Sequence, residues 1–150
     1  MDTKDNFKVH GAVTLVLQRA DGSCMASRKS NMVLNGGIDF LCNAFGSSSR
    51  PPIMNYIAVG SGTTAVAAAD TKLVTEMLRK TATYAHTANT TKLTLQTTFN
   101  AGEATGAITE AGICNASTGG TFFDRVTFPV INKGASDVLT VTFEITLTRA

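Results

Sequence analysis

The densest group of residues able to do chemistry lies in GAITEAGICNASTGGTFFDRVTF, residues 106–128, where Glu110, Cys114, Asp124 and Arg125 stand among glycines, threonines and phenylalanines. A carboxylate, a thiol and a guanidinium in one stretch suggest acid–base or nucleophilic catalysis. The rest of the inventory argues against it. The two histidines, His10 and His86, fall in separate expected strands, and no Ser or Cys stands beside either as a nucleophile–base pair. Asp70, Glu76, Glu103 and Glu144 are dispersed, whereas a glycosidase needs two carboxylates converging on one cleft. Cys24, Cys42 and Cys114 lack the Cys-x-x-Cys spacing of a zinc site or redox pair and read as buried free thiols. No catalytic residue, cofactor site or metal site is expected.

Glu110 reads instead as structural. ITEAGI sets it between apolar neighbours, where an unpaired carboxylate in a sheet interior would be costly. Arg79 and Arg125 are the candidate partners, because a guanidinium can satisfy both carboxylate oxygens. A second motif-like string, Gly60-Ser61-Gly62 after a strand, suggests a phosphate-binding turn. It lacks both the third Gly of a dinucleotide fingerprint and the Gly-Lys-Ser/Thr of a Walker loop, so a tight turn is the reading.

The elements that must position these residues are mostly strands. DVLTVTFEITLTR alternates Leu139, Val141, Phe143, Ile145 and Leu147 against threonines and Glu144. VHGAVTLVLQR and SCMASRKSNMVL flank Asp21-Gly22 as an N-terminal hairpin over about residues 8–30, packed on residues 31–150 within one domain. TKLTLQTTFN pairs with RKTATYAHT across Ala88-Asn89, and GAITEAGICN with GTFFDRVTF across ASTGG. Asn35 is expected to cap a short helix with Ile38, Leu41, Cys42 and Phe45 on its inner face and Gly46 at its end. A second short helix is expected from near Asp70, with Leu73 and Met77 inward. The aliphatic strand faces need a covering layer, so the predicted fold is mainly β, an antiparallel β-sandwich with one or two short helices.

Composition bounds the partners. In 150 residues, 16% are charged and the net charge is +2, with Lys and Arg scattered, so no field for nucleic acid is expected. No stretch approaches the roughly 20 apolar residues that span a bilayer, and no signal peptide is read at the N-terminus. Trp is absent and only two Tyr are present, leaving few platforms for sugar stacking. Arg50, Pro51 and Pro52 in SSSRPP form a rigid basic turn and a possible interface.

The order of these pieces resembles small bacteriophage virion proteins and the related N-terminal domains of tail-fibre or tail-collar proteins. The matching residues are Gly60 and Gly62; Asp70, Thr71, Leu73, Glu76 and Arg79; Glu110, Ala111 and Gly112; Arg125 and Phe128; and Lys133, over approximately residues 31–148. Cys114 stands where an aromatic is usual. The resemblance implies a cofactor-free structural component of a virion, made in the host cytoplasm, a homo-oligomer whose partners are other virion proteins. A tail-associated adaptor in a baseplate, collar or fibre attachment is the first expectation and a capsid decoration or cement protein the second. A host-surface carbohydrate-binding module is a third. The terminal strand and the segment before Val9 are the expected contact edges.

Overall fold

Period-two alternation governs most of the chain, and the computed structural model, which describes residues 6–149, resolves it into nine strands and one helix among the described residues. In chain order these are β1 (Phe7–Gln18), β2 (Cys24–Val33), α1 (Asn35–Gly46), β3 (Tyr56–Gly60), β4 (Glu76–Thr81), β5 (Thr83–His86), β6 (Lys92–Phe99), β7 (Gly106–Cys114), β8 (Asp124–Lys133) and β9 (Val138–Arg149). The strands form one sheet in the order β4-β3-β7-β8-β2-β1-β9-β6-β5, every neighbouring pair antiparallel. The fold is mainly β, as the alternation requires.

The sheet folds over on itself into two facing halves. In the middle of the order, β8 and β2 are bridged only through Met32↔Arg125 and Val33↔Asp124. The two end strands, β4 and β5, are consecutive in the chain and joined through Ala82, whose N–H donates to the Asn55 carbonyl at 2.8 Å. The sandwich is thus nearly closed into a barrel. Its core takes Val13, Leu15 and Leu17 from β1 and Leu139, Val141, Phe143 and Ile145 from β9, facing Ile57, Val59, Ile113 and Val126. A second, smaller cluster of Leu34, Ala58, Leu73, Cys114 and Phe122 lies apart from this core.

Several expectations are corrected. The hairpin β1–β2 and the helix α1 form, but Leu34, not Asn35, is the N-cap residue, and no side chain caps the helix. The helix turns a different face inward. Gly37 is buried where a side chain would strike the Phe123 carbonyl, and Phe40 and Leu41 pack on the core. Ile38, Cys42 and Phe45 are left exposed. Close approach through a glycine decided the orientation, and glycine adds nothing to a hydrophobic pattern.

No helix begins near Asp70. Residues 70–75 are irregular, bent chain leading into β4, because the N–H groups of Val74 and Thr75 donate to the Glu110 carboxylate instead of to a helical ladder. Leu73 does face inward, into the smaller cluster, and Met77 packs on the main core. β9, expected as a contact edge, is interior: β1 covers one side and β6 the other along most of its length. The segment before Val9 lies largely outside the described residues, and Phe7 and Lys8 pair with β9. Of the three thiols, Cys114 alone is buried; Cys24 and Cys42 are exposed.

Candidate functional site

Glu110 in β7 and Arg125 in β8 are both fully buried and meet on one face of the sheet. An irregularity in the β7–β8 register between Ile108 and Glu110, with Pro129 in the opposing stretch of β8, breaks the alternation. Pro lacks the N–H that a regular ladder needs. Ile108 therefore joins the core while Glu110 turns toward the 61–75 loop.

The carboxylate of Glu110 accepts four hydrogen bonds. Oε1 takes the N–H groups of Gly62 at 3.0 Å and Thr75 at 2.7 Å. Oε2 takes the N–H of Val74 at 3.0 Å and Nε of Arg125 at 2.9 Å. Arg125 uses its remaining nitrogens on the same loop: Nη1 donates to Asp70 Oδ2 at 2.8 Å and Nη2 to the Thr64 carbonyl at 2.9 Å. Asp70 Oδ2 also accepts the Ala67 N–H at 3.0 Å, and that bond, followed by Arg125, holds its carboxyl below the usual range. Together these side chains clamp both ends and the middle of the loop onto the sheet.

The clamp explains the Gly60-Ser61-Gly62 string. A Cβ at Gly62 would collide with the Glu110 carboxylate and Val74, and one at Gly60 with the Thr75 carbonyl. These glycines serve close approach to a carboxylate of the chain itself.

Arg79, the other candidate partner, does not reach Glu110. It forms a two-pronged pair with Glu76, with both N···O distances 2.7 Å, and donates through Nη1 to the carbonyls of Ala116 at 2.7 Å and Gly119 at 2.9 Å. Its guanidinium lies 5.1 Å from the Phe122 ring centroid, a cation–π distance. Arg79 thereby fastens the ASTGG turn between β7 and β8. Register explains the difference, since Arg79 sits opposite Ala58 on β4 while Arg125 shares β7's other neighbour with Thr127, the residue facing Glu110.

Comparison with family models, with curated proteins and with solved structures gives no match.

Asp124, Lys133 and Asp137 are buried as well, and the sequence reading gave none of them a structural partner. Asp124, at the start of β8, accepts the Ile113 N–H at 2.9 Å on Oδ1 and the Asn31 side-chain amide on Oδ2. Complete burial pushes its carboxyl up to about 8. Lys133 is buried, its Nζ donating to the Asn100 carbonyl at 2.9 Å, and burial lowers its pKa. Placement of FFD immediately before Arg125 was the available signal for Asp124; the sequence offers none for Lys133 beyond the resemblance. Cys114 is pushed up to about 11 by burial, which disfavours the thiolate a nucleophile requires.

The remaining groups do not converge. His10 and His86 are exposed, and His86 Nδ1 pairs with the Lys92 carbonyl at 2.8 Å. No group of three His, Cys, Asp or Glu among the described residues is placed to hold a metal ion. No helix among them is long and apolar enough to cross a membrane. Arg50 and Pro52 are exposed and Pro51 half-buried in the connector after α1. That connector leads to Ile53 and Met54, on the wall of an apolar cavity of about 660 Å3 also lined by Leu41, Tyr84, Leu95 and Leu147.

Proposed function

We propose that this chain is a non-enzymatic structural protein of a bacteriophage particle, a tail-associated adaptor of the baseplate, collar or fibre-attachment kind. The observation that supports this reading is the use made of the residues carrying the resemblance. Gly62, Asp70, Glu110 and Arg125 form one clamp, Glu76 and Arg79 a second, and Lys133 ties β8 to Asn100. A pattern whose charged members are satisfied by the protein itself preserves a scaffold. Glu110, the acid most open to a catalytic reading, has no access to solvent and four donors already in place.

Such a scaffold suits assembly. Rigid loops locked to a sheet present a fixed surface, and a partner that docks on a fixed surface loses little conformational entropy. The deciding experiment is a cryo-EM reconstruction of the intact particle of the encoding phage. The expected result is density for this nine-stranded fold at the tail, neck or baseplate. Density distributed over the capsid shell would replace the adaptor role with that of a cement protein. Absence from every part of the particle would defeat both roles.

A further inference from the structure

The ladder of the sheet has a gap in its middle. β2 pairs with β1 over residues 24–31 but meets β8 only at Met32 and Val33. Two backbone bonds fix which groups the gap leaves bare. The Arg19 N–H donates to the Ser23 carbonyl at 2.8 Å, so Arg19 and Ser23 close the β1–β2 turn as a hydrogen-bonded pair. Hydrogen-bonded and non-hydrogen-bonded pairs alternate along an antiparallel ladder. Met25, Ser27 and Lys29 therefore bond to β1, while Cys24, Ala26, Arg28 and Ser30 turn their N–H and C=O groups away from it. The far end agrees: the Leu34 N–H donates to the Phe123 carbonyl at 2.9 Å, which points the backbone groups of Met32, and of residues 30, 28, 26 and 24 in the same phase, toward β8. No strand among the described residues receives this row, and every residue from 24 to 30 is exposed.

The inner face of this stretch is as open as its edge. By register, Met25, Ser27 and Lys29 share a face with the core residues Leu17, Leu15 and Val13, yet all three are exposed, Met25 by 55%. Where β2 and β8 diverge lies a hollow of about 280 Å3 lined by Lys29, Thr63, Thr109, Thr127, Phe128 and Pro129. Pro129 has no N–H, so at that position β8 cannot complete the ladder from its own side. Arg28 is held by Thr14 and Glu144, whereas Lys29 has no ion pair or hydrogen bond among the described residues.

A lysine on the inner face discourages indiscriminate pairing at a bare edge. The same lysine discriminates among strands. A neutral strand laid along β2 strips water from the ammonium and returns nothing, whereas an acid placed opposite it forms a cross-strand ion pair. Thr63 and Thr127 put hydroxyl donors in the same hollow. Met25, four residues from Lys29 on the same face, calls for an apolar neighbour.

We infer that the free edge of β2 takes up an extended segment of a partner protein, added as a strand on the β8 side, with an acidic side chain against Lys29 and an apolar one against Met25. The bare backbone row supplies the affinity and the two side-chain positions the specificity. The inference names the partner's chemistry and rests on the assembly reading for its place in a particle; the binding itself is measurable on the purified chain.

The test is amide hydrogen exchange, followed by NMR, on the purified full chain. Without a partner, the N–H groups of Cys24, Ala26, Arg28 and Ser30 are expected to exchange about tenfold or more faster than those of Met25, Ser27 and Lys29. The probe is a random peptide library selected on the immobilised chain, with the selected peptides then synthesised. They are expected to carry Asp or Glu four residues from an apolar residue and to slow exchange at those four amides. Lys29→Glu is expected to weaken them by about tenfold or more with an unchanged urea midpoint, and a peptide with Lys in place of the acid regains affinity for that variant. Ala26→Pro deletes one outward N–H, which no neighbouring strand uses, and is expected to weaken binding as well. Failure to select any peptide, selection without an acid, indifference to Lys29→Glu, or protection away from β2 overturns the inference. Protection that grows with chain concentration in the absence of peptide assigns the edge to a second copy and overturns it too. A chain present in particles whose edge selects no peptide defeats this inference alone. A peptide-binding edge on a chain absent from particles defeats the particle role alone.

Discussion

Replacing Arg125 with Met tests the clamp most directly. The substitution keeps a long apolar stem but deletes the bonds to Glu110, Asp70 and Thr64. Asp70 is 26% exposed and regains water, so its loss contributes little. Glu110 is fully buried and keeps three backbone donors without a counter-charge. Breaking a buried pair by removing one partner costs about 3–5 kcal/mol. For a chain of this size that lowers the melting temperature by roughly 6–20 °C, at ~2–4 °C per kcal/mol. Urea unfolding followed by circular dichroism should show a lower midpoint with an unchanged slope. Amide exchange at Val74 and Thr75 should quicken, because the loop loses its anchor. Combining Arg125→Met with Glu110→Gln should cost less than the sum of the two by about 0.5–3 kcal/mol, the range for residues in one network. A loss under about 1 kcal/mol for Arg125→Met, or strict additivity in the pair, would refute the reasoning.

Asp124 predicts a pH dependence of opposite sense to that of an ordinary carboxylate. Its folded pKa, near 8, lies above the ordinary 3.8, so the folded state holds the proton more tightly. Its contribution is fully present below the unfolded value and is lost as pH rises toward 8; urea midpoints from pH 5 to 9 should fall in wild type, and Asp124→Asn should remove that component. Gly62→Ala should destabilise by about 1–3 kcal/mol through collision with Glu110 and Val74, whereas Gly46→Ala, which meets open space, should be neutral or slightly stabilising in thermal melts. Maleimide labelling followed by mass spectrometry should modify Cys24 and Cys42 in the native protein and Cys114 only after denaturation.

Strand existence was legible because alternation is a local property. Leu139 through Ile145 and Val13 through Leu17 announce their buried faces without reference to any neighbour. Neighbours adjacent in sequence were legible from their turns, as the hairpins β1–β2, β5–β6 and β7–β8 show, but neighbours distant in sequence were not. Nothing in β9 itself states that β1 and β6 flank it, and a terminal position in sequence does not imply an edge in space. The helix illustrates the same limit from another side. Its apolar spacing was real, but the sheet selected the face bearing Gly37, and the Ile38–Phe45 stripe was left outside. At Asp70 a short apolar spacing suggested helix, yet a carboxylate far along the chain captured the amides the helix needed. Glu110 was recognised as requiring an arginine; the choice between two arginines rested on strand register, which emerges only from the assembled sheet.

The placement of β9 between β1 and β6 also sets an order in time. During synthesis β1 emerges early and β6 later, and each keeps a bare row of backbone groups until β9 leaves the ribosome to occupy the slot between them. Two open rows in a nascent chain invite pairing with other nascent chains. The ladder from Phe7↔Arg149 to Gln18↔Val138 joins segments distant along the chain, so its formation carries a large loop-closure entropy. A chain stopped short of Val138 would present both rows permanently and is expected to aggregate.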